Sequence, residues 1–589
     1  MEDELLKLKG DHKIPTKVLF KRTLQYVKPE IWHFILAILL IICNVITSIV
    51  SPILMQNLVD NIKSDNISLK IILGVAFGYL GLTIVSQSFL YFQSMVLQKV
   101  GQRIIYKLRL EVFTHVENMS INQINEMPVG SLVTRVANYT ASMSNFFTDT
   151  ITSLFKCVLT VILVYALMCY YSWKLSLVML AIVIVLFVFT FIFRKFIGKG
   201  FRNERNAVSE LNTFLNENLS GMKIIQLFSQ EERKKEEFTV KNENLRKRRV
   251  YITLLFSIFR PFTAFMYIVS IAITFYMGLE LKLTSGEIVA FYLCISSFFN
   301  PIQTLADQLN NIQSATSASE KLFSLMDVKP DVLDKPHAID VDAFKGKIEF
   351  RNVWFAYEKE NWILKNVSFV VNPGETAAFV GATGAGKTTI LQLIVRNYEP
   401  QKGQILIDDI DISTMKIESL RSKIGQMLQD VFLFTGTIKS NITLRDDFND
   451  DEVMKVCEYV NADRFIRKLD KGLNNEVIQG GENLSQGERQ LLSFARTIIH
   501  KPQILILDEA TANIDTETEK LIQNSLEKMR EIGTMLVVAH RLSTIENSDQ
   551  IFCLKNGEII ERGTHKELIK LKGYYYNLHQ IQTVAGEDK

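Results

Sequence analysis

Nearly every long apolar run of this chain lies before residue 325, and that asymmetry restricts the fold more than any other feature. Six runs occur, at about residues 31–55, 69–97, 151–170, 174–196, 251–278 and 288–306. As helices rising ~1.5 Å per residue, they are about long enough to cross ~30 Å of hydrocarbon. After residue 325, strand and helix patterns alternate with charges and turns, as in a soluble α/β domain. The expected fold is a multi-pass α-helical membrane domain of six transmembrane helices with long cytoplasmic extensions, followed by an α/β domain.

The extensions follow from charge. The helical pattern of the second run continues through Lys99, Arg103, Lys107, Arg109 and Glu111, which cannot sit in lipid. It is expected to project into water and break at Asn118–Pro128. The third and fourth runs are joined only by Tyr171-Ser172-Trp173, so their outer connection is a tight turn. A second excursion, Arg194 to Arg249, is net basic and ends in Arg246-Lys247-Arg248-Arg249, the mark of a cytoplasmic loop. Ile14 to Tyr26 mixes apolar and basic residues, as a helix on the inner membrane surface does. Pro52 is expected to kink the first span. Lys156 either snorkels or faces protein. Gln87, Gln93, Asn300 and Gln303 fit interhelical bonding and cavity lining equally.

A formal net charge of +3, with basic residues placed where topology explains them, excludes a nucleic-acid partner. The six cysteines show neither CxxC spacing nor a neighbouring His, so they read as small buried hydrophobes rather than a disulfide or zinc framework. The first thirty residues lack the pattern of a removable signal peptide.

In the second half, Glu375 to Val380 reads as a buried strand and Thr389 to Val395 as a helix. Between them, Gly381-Ala382-Thr383-Gly384-Ala385-Gly386-Lys387-Thr388 has the P-loop spacing. Backbone amides, one ammonium and one hydroxyl gathered at a helix start suit a phosphate chain, with Lys387 for the β- and γ-phosphates and Thr388 for Mg²⁺. Gln503 to Glu509 is an apolar strand ending in two carboxylates, Asp508 and Glu509, where a Mg²⁺-holding Asp is expected. Leu484-Ser485-Gln486-Gly487-Glu488 precedes it, and His540 closes the strand Thr534–Ala539. Gln429 stands alone in Gln426–Phe434. Lys347 to Tyr357 alternates like an antiparallel strand.

In that order, the P-loop, Gln429, the Leu484–Glu488 signature, Asp508-Glu509 and His540 resemble the nucleotide-binding domain of ABC transporters over residues 345–584. The six spans resemble the membrane domain of ABC exporters. The resemblance implies ATP and Mg²⁺ as cofactors. Tyr357 would stack on adenine, while Gly381, Gly384, Gly386, Lys387, Thr388 and Thr389 would surround the phosphates. Thr388, Gln429 and Asp508 would serve the metal, Glu509 would be the general base, and His540 would orient it. Ser485 and Gly487 would face a γ-phosphate held by a second chain, so one chain cannot complete a site. Asp515 matches a loop through which the two sites communicate. Two contact tips are implied, near Ser120–Glu126 and near Leu211–Met222, the second reaching the partner chain.

The implied domains are a leader with an amphipathic helix (1–30), a transmembrane domain (31–326), a linker (327–346), an ABC nucleotide-binding domain (347–584) and a tail (585–589). The implied function is ATP-driven export of small amphipathic molecules, such as drugs, across a cell membrane, with both termini cytoplasmic. A lipid flippase, a peptide exporter and a non-transporting gate or sensor are the alternatives. The signature departs from LSGGQ at Gln486 and Glu488, the latter adding a carboxylate near phosphate if it points inward. That mismatch favours a heterodimer with a second ABC half-subunit over a homodimer.

Overall fold

The computed structural model describes residues 14–63, 69–358, 361–428, 431–444, 446–508, 516–538 and 545–587. It divides into two compact units, Met1–Glu117 with Pro128–Val328, and Asn118–Met127 with Lys329–Lys589.

The first unit is helical, as its apolar runs dictate. Helix α1 (Thr16–Val27) precedes α2 (Ile31–Lys63) and α3 (Leu69–Glu117). After α4 (Ile121–Asn125), which belongs to the other unit, α5 (Val129–Tyr171) contains two π-helical stretches, Arg135–Tyr139 and Phe146–Ile151. Helices α6 (Trp173–Ser220), α7 (Met222–Leu227), α8 (Glu231–Glu280) and α9 (Ser285–Met326) complete it. Among the described residues five helical segments are long and apolar enough to cross a membrane, and α9 packs against α5 and α2 as the sixth long helix. Pro52, Pro261 and Pro301 lie inside helices without ending them. Phe77, Phe187 and Phe191 are exposed on the spans, an apolar surface that suits lipid.

Local chemistry fixes the joints. Ser172 alone separates α5 from α6: its backbone is extended and its side chain accepts from the Leu175 amide. At the outer start of α9, Thr284 and Glu287 form a capping box. Asp60 accepts from Thr284 Oγ1 (3.0 Å) and from the Gly286 amide (2.8 Å). A Cβ at residue 286 would lie 2.4 Å from the Gln56 carbonyl, so only glycine permits this contact. Val164, Met168, Leu175, Met179, Phe291 and Ile295 form the core beneath. Helix α1 buries Leu19, stacks Tyr26 on Phe323 at 6.3 Å and pairs Arg22 with Asp327 at 2.8 Å, while Val18, Phe20 and Leu24 stay exposed.

The second tip lies later than the sequence suggests. Helix α6 runs unbroken to Ser220, so residues 211–220 are helix interior, and the chain turns through Gly221, α7 and Ser229 (φ 49°). The run Leu211–Leu219 holds no breaker, so the i→i−4 ladder persists until glycine ends it. Among the intramembrane amides, Gln87 is exposed, the Gln93 Oε1 is buried without a described partner, and the Gln303 side chain lies outside the described residues. The six cysteines are free, and four of them, Cys157, Cys294, Cys457 and Cys553, are buried.

The second unit contains an antiparallel sheet of order β2-β1-β4-β5, from β1 (Ile348–Phe355), β2 (Leu364–Val371), β4 (Lys402–Ile407) and β5 (Ile410–Asp411). A six-stranded sheet has the order β12-β11-β3-β10-β9-β6, from β3 (Thr376–Gly381), β6 (Ile424–Met427), β9 (Ile504–Asp508), β10 (Thr534–Val538), β11 (Gln550–Lys555) and β12 (Glu558–Gly563). A hairpin of β7 (Gly436–Thr437) and β8 (Glu476–Val477) stands apart. All neighbours in the larger sheet are parallel except β11 and β12. Helix α10 (Lys387–Ile394) packs Ile390, Leu391 and Ile394 into a core shared with Phe350, Phe369, Phe379 and Phe552.

The segment before β1 is clasped rather than loose. Arg396 is 1% exposed and donates to the carbonyls of Leu333 (2.9 Å) and Met415 (2.8 Å), and it pairs with Asp334 and Glu399. Removing the guanidinium leaves those buried acceptors without a donor. Arg396→Leu should therefore cost the C-terminal unit about 3 kcal/mol, seen as an earlier denaturant midpoint. An unchanged midpoint would show that the clasp contributes nothing.

Candidate functional site

Parallel strands deliver the candidate residues to one edge. In register, Asp508 lies beside Val538, and Val538 beside Phe379, so β9, β10 and β3 end together. Gly381 is the last residue of β3, the loop follows, and α10 starts at Lys387. Gly384 sits with φ +82° and open space around it. Gly386 is the N-cap of α10 with φ +101°, and a Cβ there would lie 2.6 Å from Leu364 Cδ2, so a side chain is excluded on two counts.

Lys387 is buried, and its Nζ donates to the carbonyls of Gly381 (2.8 Å) and Ala382 (3.1 Å), which hold the ammonium inside its own loop. Thr388 Oγ1 donates to Asp508 Oδ1 at 3.4 Å, and Asp508 is 8% exposed. A hydroxyl and a carboxylate at that separation form an oxygen set suited to a hard divalent cation. With the helix N-terminus and the Lys387 ammonium beside them, these residues fit a nucleotide phosphate chain with its metal.

Thr389 is buried, and its Oγ1 lies 3.1 Å from the hydroxyl of Tyr357, a residue that is 43% exposed. The same ring packs edge-on against Phe355 (4.9 Å) and Tyr398 (5.1 Å). Gln429, Glu509, Asp515 and His540 lie outside the described residues. The strands leading into three of them, β6, β9 and β10, are adjacent in the sheet.

Ser485 is the N-cap of α11 (Gln486–Ile499), and Gly487 is buried in its first turn. The Ser485 hydroxyl accepts from the Glu488 amide (3.2 Å), and the Glu488 carboxylate accepts from the Ser485 amide (2.8 Å). This closed capping box corrects the concern that Glu488 points at phosphate: its carboxylate is turned back onto the helix start. Gln fills the same third position of such a box, so the departure from LSGGQ at Glu488 leaves the local geometry intact.

Sequence reasoning missed Tyr398. Ser120 and Gln123 cap the short helix α4, and Gln123, 1% exposed, donates to the Lys329 carbonyl at 2.8 Å. Tyr398 hydrogen-bonds with Asn125 of α4. Burial, with Tyr357 beside it, pushes the Tyr398 phenol above its ordinary value, and the Asn125 bond draws it back. One contact chain thus runs from the first tip through Tyr398 and Tyr357 to Thr389. No spacing rule announces it; the only signal is an aromatic just beyond the P-loop helix.

The comparisons with known proteins agree with this geometry. Residues 34–302 match the family model described as ABC transporter transmembrane region, and residues 364–512 match that described as ABC transporter. The chain is 37% identical to the probable multidrug resistance ABC transporter ATP-binding/permease protein YheH of Bacillus subtilis, over 86% of this chain and 76% of YheH. It is 33% identical to an ATP-dependent lipid A-core flippase of Syntrophus aciditrophicus, over 97% and 95%. The structure of a bacterial Atm1-family ABC exporter with ATP bound superposes with a TM-score of 0.78 at 26% identity, over 93% of this chain and 98% of that one.

The capping box yields a test. Glu488→Gln should keep both bonds, whereas Glu488→Ala should cost about 1 kcal/mol at the start of α11. Thermal melting compares them, and equal melting temperatures for the two variants would count against the box.

Proposed function

Because this chain belongs to the ABC transporter family, as an exporter-type half-transporter that hydrolyses ATP at the cytoplasmic side of a membrane and works as a dimer, we propose that it exports amphipathic small molecules. The observation that carries the transport reading is the first tip: α3 continues beyond its apolar run to Glu117, and residues 118–127, which follow it directly, pack within the ATPase unit. Substrate class rests on the relatives, one named for multidrug resistance and others for flipping a lipid A core. A lipid is itself amphipathic, and those flippases favour a lipid flippase as the second reading. Proteoliposomes separate the two: ATP-dependent movement of a fluorescent drug-like amphiphile supports the first, and movement of labelled phospholipid alone supports the second.

Thr388, Asp508 and Gln429 are proposed to hold Mg²⁺, with Lys387 and the loop amides on the phosphates and Tyr357 against adenine. The bound metal would neutralise phosphate charge and polarise the γ-phosphoryl group. Glu509 is proposed to accept the proton of the attacking water, with His540 orienting it. Ser485 and Gly487 are proposed to serve the site of the second chain, where the Gln486 and Gly487 amides of α11 lie outside the capping box. The exposed side chains of the second tip, Ile224, Leu227 and Phe228, suit burial on that partner. The heterodimer is proposed on Gln486, which places a side chain where LSGGQ has none. Purifying this chain alone tests it: robust ATP hydrolysis by a homodimer, lost in Glu509→Gln, assigns the homodimer instead.

Two outcomes are expected in the assembled transporter. Glu509→Gln should bind ATP but lose most turnover, because an amide keeps the shape and cannot take the proton; hydrolysis near the wild-type rate would remove Glu509 as the base. Lys387→Ala should weaken nucleotide binding and turnover together, and an unchanged ATP affinity would contradict the role given to the ammonium.

A further inference from the structure

A cavity of about 640 Å³ opens between α6, α8 and α9 within the membrane unit. Two guanidinium groups line it, Arg194 from α6 and Arg260 from α8. Among the described residues neither has a carboxylate partner, and the one hydrogen bond, ion pair or ring contact of either head group is Arg260 over the Phe256 ring at 5.7 Å. No acidic side chain is among the lining residues; Phe201, Phe256, Phe259, Tyr267 and Phe299 supply its aromatic wall.

The depth of the two cations matters. At ~1.5 Å per residue, Arg194 lies roughly 30 Å along α6 from its outer end at Trp173. Arg260 lies roughly 27 Å from Gly278 on α8, yet roughly 16 Å inward of Arg249, where the basic cluster ends. Both therefore stand near the inner boundary of a ~30 Å hydrocarbon layer, and Tyr267 rises about 10 Å above Arg260 on the same helix. Phe201 and Phe256 lie on the cytoplasmic side of the two cations, whereas Tyr267 and Phe299 lie on the outer side, where the apolar part of an amphiphile can follow the headgroup. Ordinary snorkelling accounts for Lys195 and Lys199, which neighbour Arg194 but do not line the cavity.

We propose that Arg194 and Arg260 bind the anionic headgroup of an amphiphile whose apolar part lies along Tyr267 and Phe299. The inference rests on the exporter reading above and narrows its substrate class. An unpaired guanidinium near hydrocarbon is costly, and a phosphate, sulfate or carboxylate engages its planar fork in paired hydrogen bonds. A cationic amphiphile would face two like charges and no counter-charge, so the same cavity disfavours it. The headgroup chemistry is shared by an anionic membrane lipid and by a soluble amphiphilic anion.

The test uses the full chain, assembled with its partner, in zwitterionic nanodiscs. A fluorescent long-chain alkyl phosphate is titrated by polarisation beside alkyl phosphocholine and alkyl trimethylammonium probes of equal chain length. The alkyl phosphate should bind at least tenfold tighter than the ammonium. Arg194→Gln with Arg260→Gln should lose at least tenfold of that affinity, Arg194→Lys with Arg260→Lys should lose several-fold because the charge stays and the paired hydrogen bonds do not, and Lys195→Gln should leave it unchanged. Melting temperatures report folding, and the lysine pair serves if the glutamine pair is unstable. Doping the discs with an anionic diacyl phospholipid displaces the probe if bilayer lipid is the ligand; displacement by unlabelled alkyl phosphate alone assigns a soluble anion. Equal affinity for the ammonium, or unaltered binding in the glutamine pair, overturns the proposal. Transport of neutral or cationic amphiphiles, indifferent to both arginines, sinks this inference and leaves the exporter reading standing. Binding and transport of no amphiphile at all removes both.

Discussion

Backbone hydrogen bonding in hydrocarbon is the constraint from which the rest follows. Lipid offers no partner to an amide or a carbonyl, so each apolar run must close its own i→i−4 ladder. Helices α3, α6 and α8 do this and then continue, reaching 49, 48 and 50 residues. At ~1.5 Å per residue each is over 70 Å long, more than twice the ~30 Å of hydrocarbon. The side chains change from Phe, Leu and Val to Lys, Arg and Glu along one helix, while the ladder continues without interruption. Each helix is thus a single rod between the bilayer and the cytosol, with its tip set by the first residue that can break the ladder.

The ATPase unit answers a different constraint. Phosphate binding needs backbone amides converging on one point, and parallel strands supply that by ending on the same edge. Strands β3 and β9 bring the P-loop and Asp508 to that edge, and β9, β10 and β6 are the strands that precede Glu509, His540 and Gln429 in the sequence. Tyr357 and Tyr398 extend the arrangement sideways, joining Thr389 of the P-loop helix to Asn125 of the first tip.

Much of this was legible in the sequence, for reasons that differ by region. Spans are long and lipid tolerates few residue types, so composition alone marks them. The P-loop is local, and its strand–loop–helix context can be read from a short window. The second tip was misplaced because Leu211–Leu219 looks like any helix surface, and only the backbone shows that Gly221 is where the ladder stops. The motif leaves open whether Glu488 points inward, although Ser485-Gln486-Gly487-Glu488 carries the spacing of a capping box, a local signal that answers the question. Tyr398, Arg396 and Gln123 could not be found this way. Their partners lie on other elements, and Gln123 and Lys329 meet across a sequence separation of 206.

That separation bears on how the chain is made. Residues 118–127 emerge from the ribosome with the second span, long before β1, yet they are structurally part of the ATPase unit. Their hydrogen bonds to Lys329 and Tyr398 cannot form until four more spans have entered the bilayer and the C-terminal domain has been synthesised. Early and late segments of the polypeptide therefore finish one another, and the folding of the two units is interleaved rather than sequential, with the high contact order that slows assembly. The tip therefore waits through the intervening synthesis without the partners that bury Gln123, and the ATPase unit is complete only once Lys329 and Tyr398 have been made.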